Sequence, residues 1–175
     1  MTLTSGGTVT GESAWPSGVF DVPAEDTASE LPRTFKLGQP AAVWTRSTRT
    51  ETTWKFRSKR DENVYTQGIP LLFPGYGLAT DGLTSLPAKD GQTIDLSVTG
   101  HAGYTPGKLA AATVSYSYDD GATWNQATTA QRGGHWTAIV NHEGTDGNLV
   151  TLTTELTDTD GNSVVQTVTA AYAVR

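Results

Sequence analysis

The sequence predicts an all-β protein, with an immunoglobulin- or fibronectin-like β-sandwich preceded by a smaller β-sheet region. Two observations favour this fold class. Short segments alternate apolar and polar residues, which is the pattern of strands with one buried face. The 19 glycines and 8 prolines, together with a single methionine, are typical of short strands joined by turns and argue against helices.

The second half of the chain contains the clearer strands. Residues 93–99, TIDLSVT, alternate strictly, with apolar side chains on one face and polar side chains on the other. The same alternation recurs in residues 111–118 and 135–140, and the chain closes with a strand pair at residues 149–174. Five or more strands with turn signals at regular intervals within about 85 residues predict a sandwich.

The first half of the chain is less regular. Trp54 and Phe56 alternate with basic residues, which predicts a strand with an aromatic inner face. The best linker candidate is the segment 82–91, where the charge balance changes from nearly neutral to acidic. We therefore expect two parts: residues 1–87, a β-rich accessory region that need not be complete by itself, and residues 88–175, the sandwich.

Composition limits the classes of function. The formal net charge of −6 argues against a general binder of nucleic acid. Six basic residues lie between Arg46 and Arg60, but alternation places Trp54 and Phe56 on the strand face opposite Lys55, so that they cannot cooperate on one surface. The chain has no cysteine, which excludes disulfides and Cys-based zinc sites. We therefore expect no nucleic-acid partner.

Two further absences bear on location. No apolar run approaches the roughly 20 residues that cross a bilayer, so no membrane partner is expected. The first residues lack the charged leader and the apolar core of a signal peptide. The chain is therefore expected to be either cytoplasmic or a piece of a longer secreted protein.

Residues 117–124, SYDDGATW, combine a hydroxyl, two carboxylates, a glycine and an indole. The segment resembles the Asp-box, Ser-x-Asp-x-Gly-x-Thr-Trp, of sialidases and related β-propellers, in which it forms a structural hairpin turn. The carboxylate of such a turn accepts hydrogen bonds from amides that the strand ladder leaves free. A single copy without an internal period argues against a propeller. We therefore expect a structural turn built from Ser117, Asp119, Gly121, Thr123 and Trp124.

A second acidic turn lies within the last strand pair. Asp160-Gly161 predicts a two-residue type I′ turn, because both central positions of that turn need a positive φ. Calcium is the alternative use of this turn, through Asp158, Asp160 and Asn162. The EF-hand pattern fails, since a loop that starts at Asp158 has its glycine at the fourth position and Thr169 at the twelfth. We expect no cofactor, with calcium as the alternative.

No motif typical of catalysis occurs in the sequence. The three histidines, His101, His135 and His142, lie in loop-like segments or at a strand start, and there is neither a Gly-x-Ser-x-Gly elbow nor a His-Glu-x-x-His helix. We therefore predict that the protein is not an enzyme. Five tryptophans suggest instead a surface that stacks on sugars. Trp15, in a loop-like segment, is the expected exposed member, whereas packing better explains Trp124.

The order of the segments resembles a known family. The succession RTETTWKFRS, IPLLFPGYGL, TIDLSV, VSYSYDDGATW and LTDTDGNSVVQTVTAAYAVR, within residues 44–175, resembles the C-terminal tail of large secreted bacterial subtilisin-like serine proteases. The resemblance implies a non-catalytic accessory region and an extracellular location. It also implies a partner, either the parent protease domain or its protein or polysaccharide substrate. The catalytic segments of that family, Asp-Ser/Thr-Gly, His-Gly-Thr-His and Gly-Thr-Ser-Met-Ala, do not occur in this chain.

Three functions follow from these observations. The first expectation is a domain that stabilises or targets a secreted subtilisin-like protease. The alternative is a carbohydrate- or polymer-binding sandwich, which requires coplanar exposed aromatic side chains. A third is a protease-inhibiting or partner-binding domain that offers a loop such as HAGYTPGK, residues 101–108, to an active site. Open edge strands also allow dimers to form by strand pairing.

Overall fold

The computed structural model describes residues 1–15, 17–36, 38 and 43–175, which form an all-β structure without helices. The expected fold class is confirmed. Within these residues, no helix exists that is long and apolar enough to cross a membrane. The described strands are β1 (Thr2–Ser5), β2 (Thr8–Glu12), β3 (Thr27–Lys36), β4 (Arg49–Ser58), β5 (Leu72–Leu78), β6 (Ser85–Leu86), β7 (Gln92–Gly100), β8 (Leu109–Ser117), β9 (Asn125–Gln126), β10 (Thr128–Arg132), β11 (His135–Val140), β12 (Leu149–Asp158) and β13 (Ser163–Val174).

The strands form two sheets in a sandwich-like arrangement. The smaller sheet has the order β10-β11-β7-β5, and the larger has the order β2-β1-β3-β4-β13-β12-β8-β9, with β6 paired in parallel to the end of β13. In the lettering of an immunoglobulin domain, β5, β7, β11 and β10 take the A, B, E and D positions. β8, β12 and β13 take the C, F and G positions of the opposite sheet, and β9 extends it beyond C. The strand order is therefore immunoglobulin-like.

The sandwich takes its first strand from the part of the chain before residue 88. β5 runs antiparallel to β7 over its whole length, and β6 pairs with the last two residues of β13. Residues 1–87 and 88–175 thus both contribute strands to the sandwich, and the expected boundary does not separate the sheets. Pro74 and Gly75 interrupt the alternation of β5, because proline and glycine weaken a strand pattern. Both are tolerated here because β5 lies at the edge of its sheet.

The first four strands extend the larger sheet beyond β13. β4 pairs with β13 in a continuous register from Lys55↔Ser163 to Arg49↔Thr169, and β3 pairs with β4 along its entire length. β1 and β2 add the outer strands of this edge. The accessory region is therefore a continuation of one sheet of the sandwich.

The inner face of each sheet carries the apolar residues that the alternation predicts. Ile94 of β7 and Val114 of β8 are fully buried. On β4, Trp54 and Phe56 are buried whereas Lys55 is exposed, so the aromatic inner face is confirmed. Full burial of one such side chain contributes about 1.5–3 kcal/mol, and these contacts hold the two sheets together.

The turn between β12 and β13 differs from the expected two-residue type. Only Gly161 has a positive φ, 83°, and Asp160 does not. The Asp158 amide donates to the Asn162 carbonyl at 3.0 Å, and the Gly161 amide donates to the Asp158 carbonyl at 3.2 Å. These bonds close a three-residue loop with glycine in the left-handed position. The expectation of a type I′ turn at Asp160-Gly161 is therefore wrong.

Candidate functional site

An apolar groove lies over the inner face of β1, β3 and β4. Each of these strands contributes an apolar side chain to it, namely Leu3, Leu31 and Trp54. Phe20 and Ile69 also line it, from the connections that precede β3 and β5. Among the described strands, four form the smaller sheet, so these connections cover part of the longer sheet in its place. We call this cavity, whose volume is about 310 Å³, the β4 groove.

The β4 groove is open to solvent along an apolar rim. Tyr65 is fully exposed and Val19 is 84% exposed, although both line the groove. Val64, which also lines it, is 47% exposed. Exposed apolar residues around a concave apolar surface mark a place where another molecule is held. The groove is therefore the candidate functional site.

An aromatic row runs from the core into the β4 groove. The ring centroids of Trp54 and Phe73 are 5.6 Å apart, and those of Phe73 and His101 are 5.9 Å apart. Trp54 is fixed in place because its Nε1 donates to the Leu72 carbonyl at 2.6 Å. This bond ties β4 of the larger sheet to β5 of the smaller sheet, so the groove is built on a part of the molecule that both sheets hold.

Arg33 places a positive charge at the β4 groove. It is partly buried on β3, two residues after Leu31 and on the same strand face. In the part of the chain that the structure describes, Arg33 forms no ion pair. Arg60, which also lines the groove, is paired with Glu62 at 3.4 Å. A partly desolvated guanidinium without a counter-charge favours an anion beside it.

Asp61 is an acidic residue of the groove lining, and hydrogen bonds hold its side chain in place. Its Oδ1 accepts hydrogen bonds from the Asn63 amide and from Asn63 Nδ2, each at 2.9 Å. The bond from the Asn63 amide is the main reason that the pKa of the Asp61 carboxyl is lowered. The Asp61 amide donates in turn to Gln67 Oε1 at 2.7 Å. The carboxylate of Asp61 therefore stabilises its own loop.

A row of polar side chains crosses the larger sheet and ends at Arg33. Strand pairing places Thr154, Gln166, Thr52 and Arg33 side by side on β12, β13, β4 and β3. Gln166 Nε2 donates to Thr52 Oγ1 at 3.1 Å, and the Tyr76 hydroxyl donates to Gln166 Oε1 at 3.2 Å. Burial raises the pKa of Tyr76 to about 12, so this hydroxyl stays protonated. The row joins the interior of the sandwich to the β4 groove.

The residues of the expected structural turn run from Ser117, the last residue of β8, to Trp124, just before β9. The Asp119 carboxylate accepts hydrogen bonds from the Ser117 hydroxyl at 2.6 Å, the Thr123 hydroxyl at 2.7 Å and the Thr123 amide at 2.8 Å. These bonds, with that from Ser117 first, lower the pKa of Asp119 to about 2. Gly121 has a φ of 94°, and a Cβ there would lie 3.0 Å from the Trp124 ring. The carboxylate thus organises the turn.

The calcium candidates lie at the end of β12 and in the turn that leads to β13. Asp158 is buried, and its Oδ1 accepts from the amides of Asp160 at 3.0 Å and Asn162 at 2.9 Å. Its Oδ2 accepts from the Tyr104 hydroxyl at 3.2 Å and the Gly107 amide at 3.3 Å. Neutral donors therefore satisfy this carboxylate. Among the residues that the structure describes, no group of three or more His, Cys, Asp or Glu side chains is placed to hold a metal ion.

The structure buries His142, which the sequence places in a loop-like segment. Its Nδ1 lies 2.7 Å from the Tyr118 hydroxyl and its Nε2 lies 3.0 Å from the Tyr172 hydroxyl. Tyr118 donates to the Asn141 carbonyl at 3.0 Å, so the network is satisfied when His142 Nδ1 donates to Tyr118 and Nε2 accepts from Tyr172. Burial lowers the pKa of His142. Tyrosines at inward strand positions, which need a partner when buried, are the signal in the sequence for this network.

The site residues expected from the sequence are not brought together. Trp15 follows β2 at the edge of the larger sheet and is 76% exposed. The Asp119 turn follows β8, whereas Asp158 pairs with Leu109 at the start of β8, so these two turns lie at opposite ends of one strand. None of them lines the β4 groove. The groove and Arg33 were not expected, because β1 and β3 mix turn residues with few apolar side chains.

Comparisons with protein-family models, with curated proteins and with solved structures found no match. Functional assignment therefore depends on the β4 groove and on the order of the sequence segments. The two are connected, because the first of those segments, RTETTWKFRS, forms β4 itself.

Proposed function

We propose that the chain is a non-catalytic accessory module that stabilises or targets a secreted subtilisin-like serine protease. The observation that carries this function is the β4 groove, an apolar surface open to solvent on a continuous sheet. The resemblance in the order of five sequence segments within residues 44–175 is the reason for naming this family of proteases. The protein would act by holding another polypeptide at this surface.

A rigid support under the groove favours a docking role. The bond from Trp54 Nε1 to the Leu72 carbonyl ties β4 to β5, and the bond from Gln166 to Thr52 ties β4 to β13. A surface that is already ordered loses little freedom on association, and this preserves affinity. The exposed side chains at the rim add apolar area that a partner would cover.

Mixing the purified chain with the secreted subtilisin-like protease of the same organism tests this function. We expect the half-life of the protease at elevated temperature to lengthen, while its hydrolysis of a short chromogenic peptide stays unchanged. Val64→Asp should abolish the protection, because a carboxylate on the groove rim resists desolvation. Val9→Asp, at a similarly exposed valine of β2 (55% against 47%), is the matched control. Slower peptide hydrolysis would support an inhibitor instead.

A polymer-binding module is the second candidate, and the exposure of Trp15 favours it. An indole ring that faces solvent can stack on a sugar ring. Purified chain would be mixed with insoluble chitin, cellulose, peptidoglycan, collagen and keratin, and the unbound fraction measured. Saturable depletion that is lost in Trp15→Ala would support this candidate. The control is Phe35→Ala, at an exposed aromatic side chain on β3, which should leave the depletion intact. Depletion by none of the polymers would exclude it for these ligands.

A further inference from the structure

We propose that the β4 groove binds the C-terminal end of a polypeptide, with an apolar last side chain in the cavity and the α-carboxylate on Arg33. This inference rests on the proposed function for the source of such ends, because a protease creates a new α-carboxylate at each cleavage. The ligand class is a peptide that ends in a large aliphatic or aromatic residue.

The size and lining of the groove accommodate a large apolar side chain together with the peptide backbone next to it. Its volume of about 310 Å³ is at the lower end of the range of ligand pockets, roughly 300–1,000 Å³. Leu3, Leu31 and Trp54 form its buried floor on three adjacent strands, and the half-buried Phe20 and Ile69 offer apolar surface above them. The rest of a peptide would leave the groove across the exposed rim, where Val19 and Tyr65 provide further apolar contact.

Arg33 determines the charge of the ligand. Its planar guanidinium matches a carboxylate through two parallel hydrogen bonds, which a neutral amide cannot reproduce. Its lack of an ion pair within the described residues is not a general property of arginines in this chain. Of the six other arginines, Arg46 and Arg132 also form no ion pair within the described residues, whereas four pair with side-chain carboxylates, namely Arg49, Arg57, Arg60 and Arg175.

The sheet itself sets the distance between the charge and the apolar surface. Arg33 lies opposite Thr52, and the next row of the same face pairs Leu31 with Trp54. Residues two apart on one strand are separated by about 6.6 Å along it. A cation and an apolar surface at this spacing fit a residue that carries both an apolar side chain and a free carboxylate.

The other charged groups at the groove do not offer a fixed site for a positively charged ligand. Asp61 is held by Asn63, and Arg60 is paired with Glu62. Asp21, the remaining acidic residue of the lining, is exposed to solvent, where its charge is screened. This arrangement therefore selects the C-terminal end of a peptide, which carries the α-carboxylate.

Binding of acetyl-Gly-Gly-Phe with a free carboxylate to the full chain, followed by calorimetry and by amide NMR shifts, tests this inference. We expect saturable binding with a Kd of about 1 mM or tighter. The same peptide with a C-terminal amide should bind at least about tenfold more weakly, because it lacks the charge-assisted bonds to Arg33. Octanoate forms a second arm, since a free fatty acid shares the apolar tail and the carboxylate.

Arg33→Gln is expected to remove the preference for the acid over the amide while the melting curve stays cooperative. Arg132→Gln, at an exposed arginine of β10, is the matched control and should keep the preference. Val64→Asp should weaken binding of the peptide acid, because the new carboxylate on the groove rim repels the α-carboxylate. This result would support the assignment independently of Arg33.

Three results would overturn the assignment: no saturable binding of the peptide, equal binding of acid and amide, or binding of octanoate without the peptide. The assay contains no protease. Failure here would therefore leave the proposed function to be decided by the protease half-life.

Discussion

Gln166 of β13 and Thr52 of β4 lie opposite each other, and the Gln166 side-chain amide donates to Thr52 Oγ1 at 3.1 Å. This bond crosses the junction between the sandwich and the first four strands. Thr154 lies on the other side of Gln166 and is also buried. Its hydroxyl forms no well-aligned hydrogen bond among the described residues, although its proximity to the Tyr76 hydroxyl opposes the rise in the pKa of that tyrosine. Two buried threonines thus flank one glutamine in different states of hydrogen bonding.

Replacement of these threonines by valine should have opposite effects on stability. Thr52→Val leaves the partly buried Gln166 amide without its acceptor and is expected to lower the free energy of unfolding by about 1–2 kcal/mol. Thr154→Val removes an unpaired hydroxyl at nearly constant volume, so it should be neutral or stabilise by up to about 1 kcal/mol. Urea denaturation of both variants measures the difference. Equal losses of stability would contradict the assignment of the two hydroxyls.

Trp54 should be far less tolerant of substitution than Trp15. Trp54→Phe removes the donor to the Leu72 carbonyl and leaves space in the core, so it is expected to cost about 1–3 kcal/mol. Trp15→Phe changes an exposed ring and should stay within about 0.5 kcal/mol of the parent. Guanidinium denaturation followed by circular dichroism avoids the change in fluorescence that both variants share. A Trp54→Phe variant as stable as Trp15→Phe would show that the bond between the sheets is unimportant.

Strict alternation made part of the fold predictable from the sequence. It predicts the buried face of β7 and the aromatic inner face of β4, because burial on a strand repeats every second residue and leaves a local pattern. It does not predict that β5 belongs to the sandwich, since Pro74 and Gly75 break the pattern there. Nor does it predict that β4 pairs with β13, because pairing between strands so distant in sequence leaves no local signal.

Identical dipeptides in this chain also adopt different turns. Asp120-Gly121 has positive φ at both residues, 55° and 94°, whereas Asp160-Gly161 has it only at Gly161. At the second turn, the Asp158 carboxylate binds two amides of the loop and favours the longer form. The β4 groove also could not be predicted from the sequence, because it results from the unequal widths of the two sheets. Such features depend on contacts between segments and not on any single segment.

The burial of His142 should make stability depend on pH near neutrality. Burial lowers its pKa in the folded state, whereas an unfolded histidine has a pKa of about 6.5. Below about pH 6.5 the unfolded state therefore binds a proton that the folded state does not, and stability falls as the pH decreases. Tm measured from pH 8 to pH 5 should decline accordingly, with a smaller decline for His142→Gln over the same range.

His135→Gln is the control for this effect, because His135 is exposed at the start of β11. Its Tm should follow the pH profile of the parent. If His142→Gln kept the full slope of the parent between pH 7 and pH 5, the buried imidazole would not be the group responsible.

Asp119 should control stability at much lower pH. Its bonds with Ser117 and Thr123 lower the pKa of the folded carboxyl to about 2, whereas an unfolded aspartate has a pKa of about 3.9. The contribution of these bonds is therefore complete above about pH 4 and is lost as the pH falls toward 2. Asp119→Asn should lower Tm at pH 7 and should flatten the decline of Tm between pH 5 and pH 2.

The neighbouring Asp120 separates this effect from a general loss of negative charge. Asp120 is exposed in the same turn, and its φ of 55° is one that asparagine adopts readily. Asp120→Asn should therefore leave Tm at pH 7 nearly unchanged and keep the acid profile of the parent. If the two variants shifted the acid limb equally, the profile would report the charge of the turn and not the bonds of Asp119. A shift confined to Asp119→Asn is the result expected when that carboxylate holds the turn through Ser117 and Thr123.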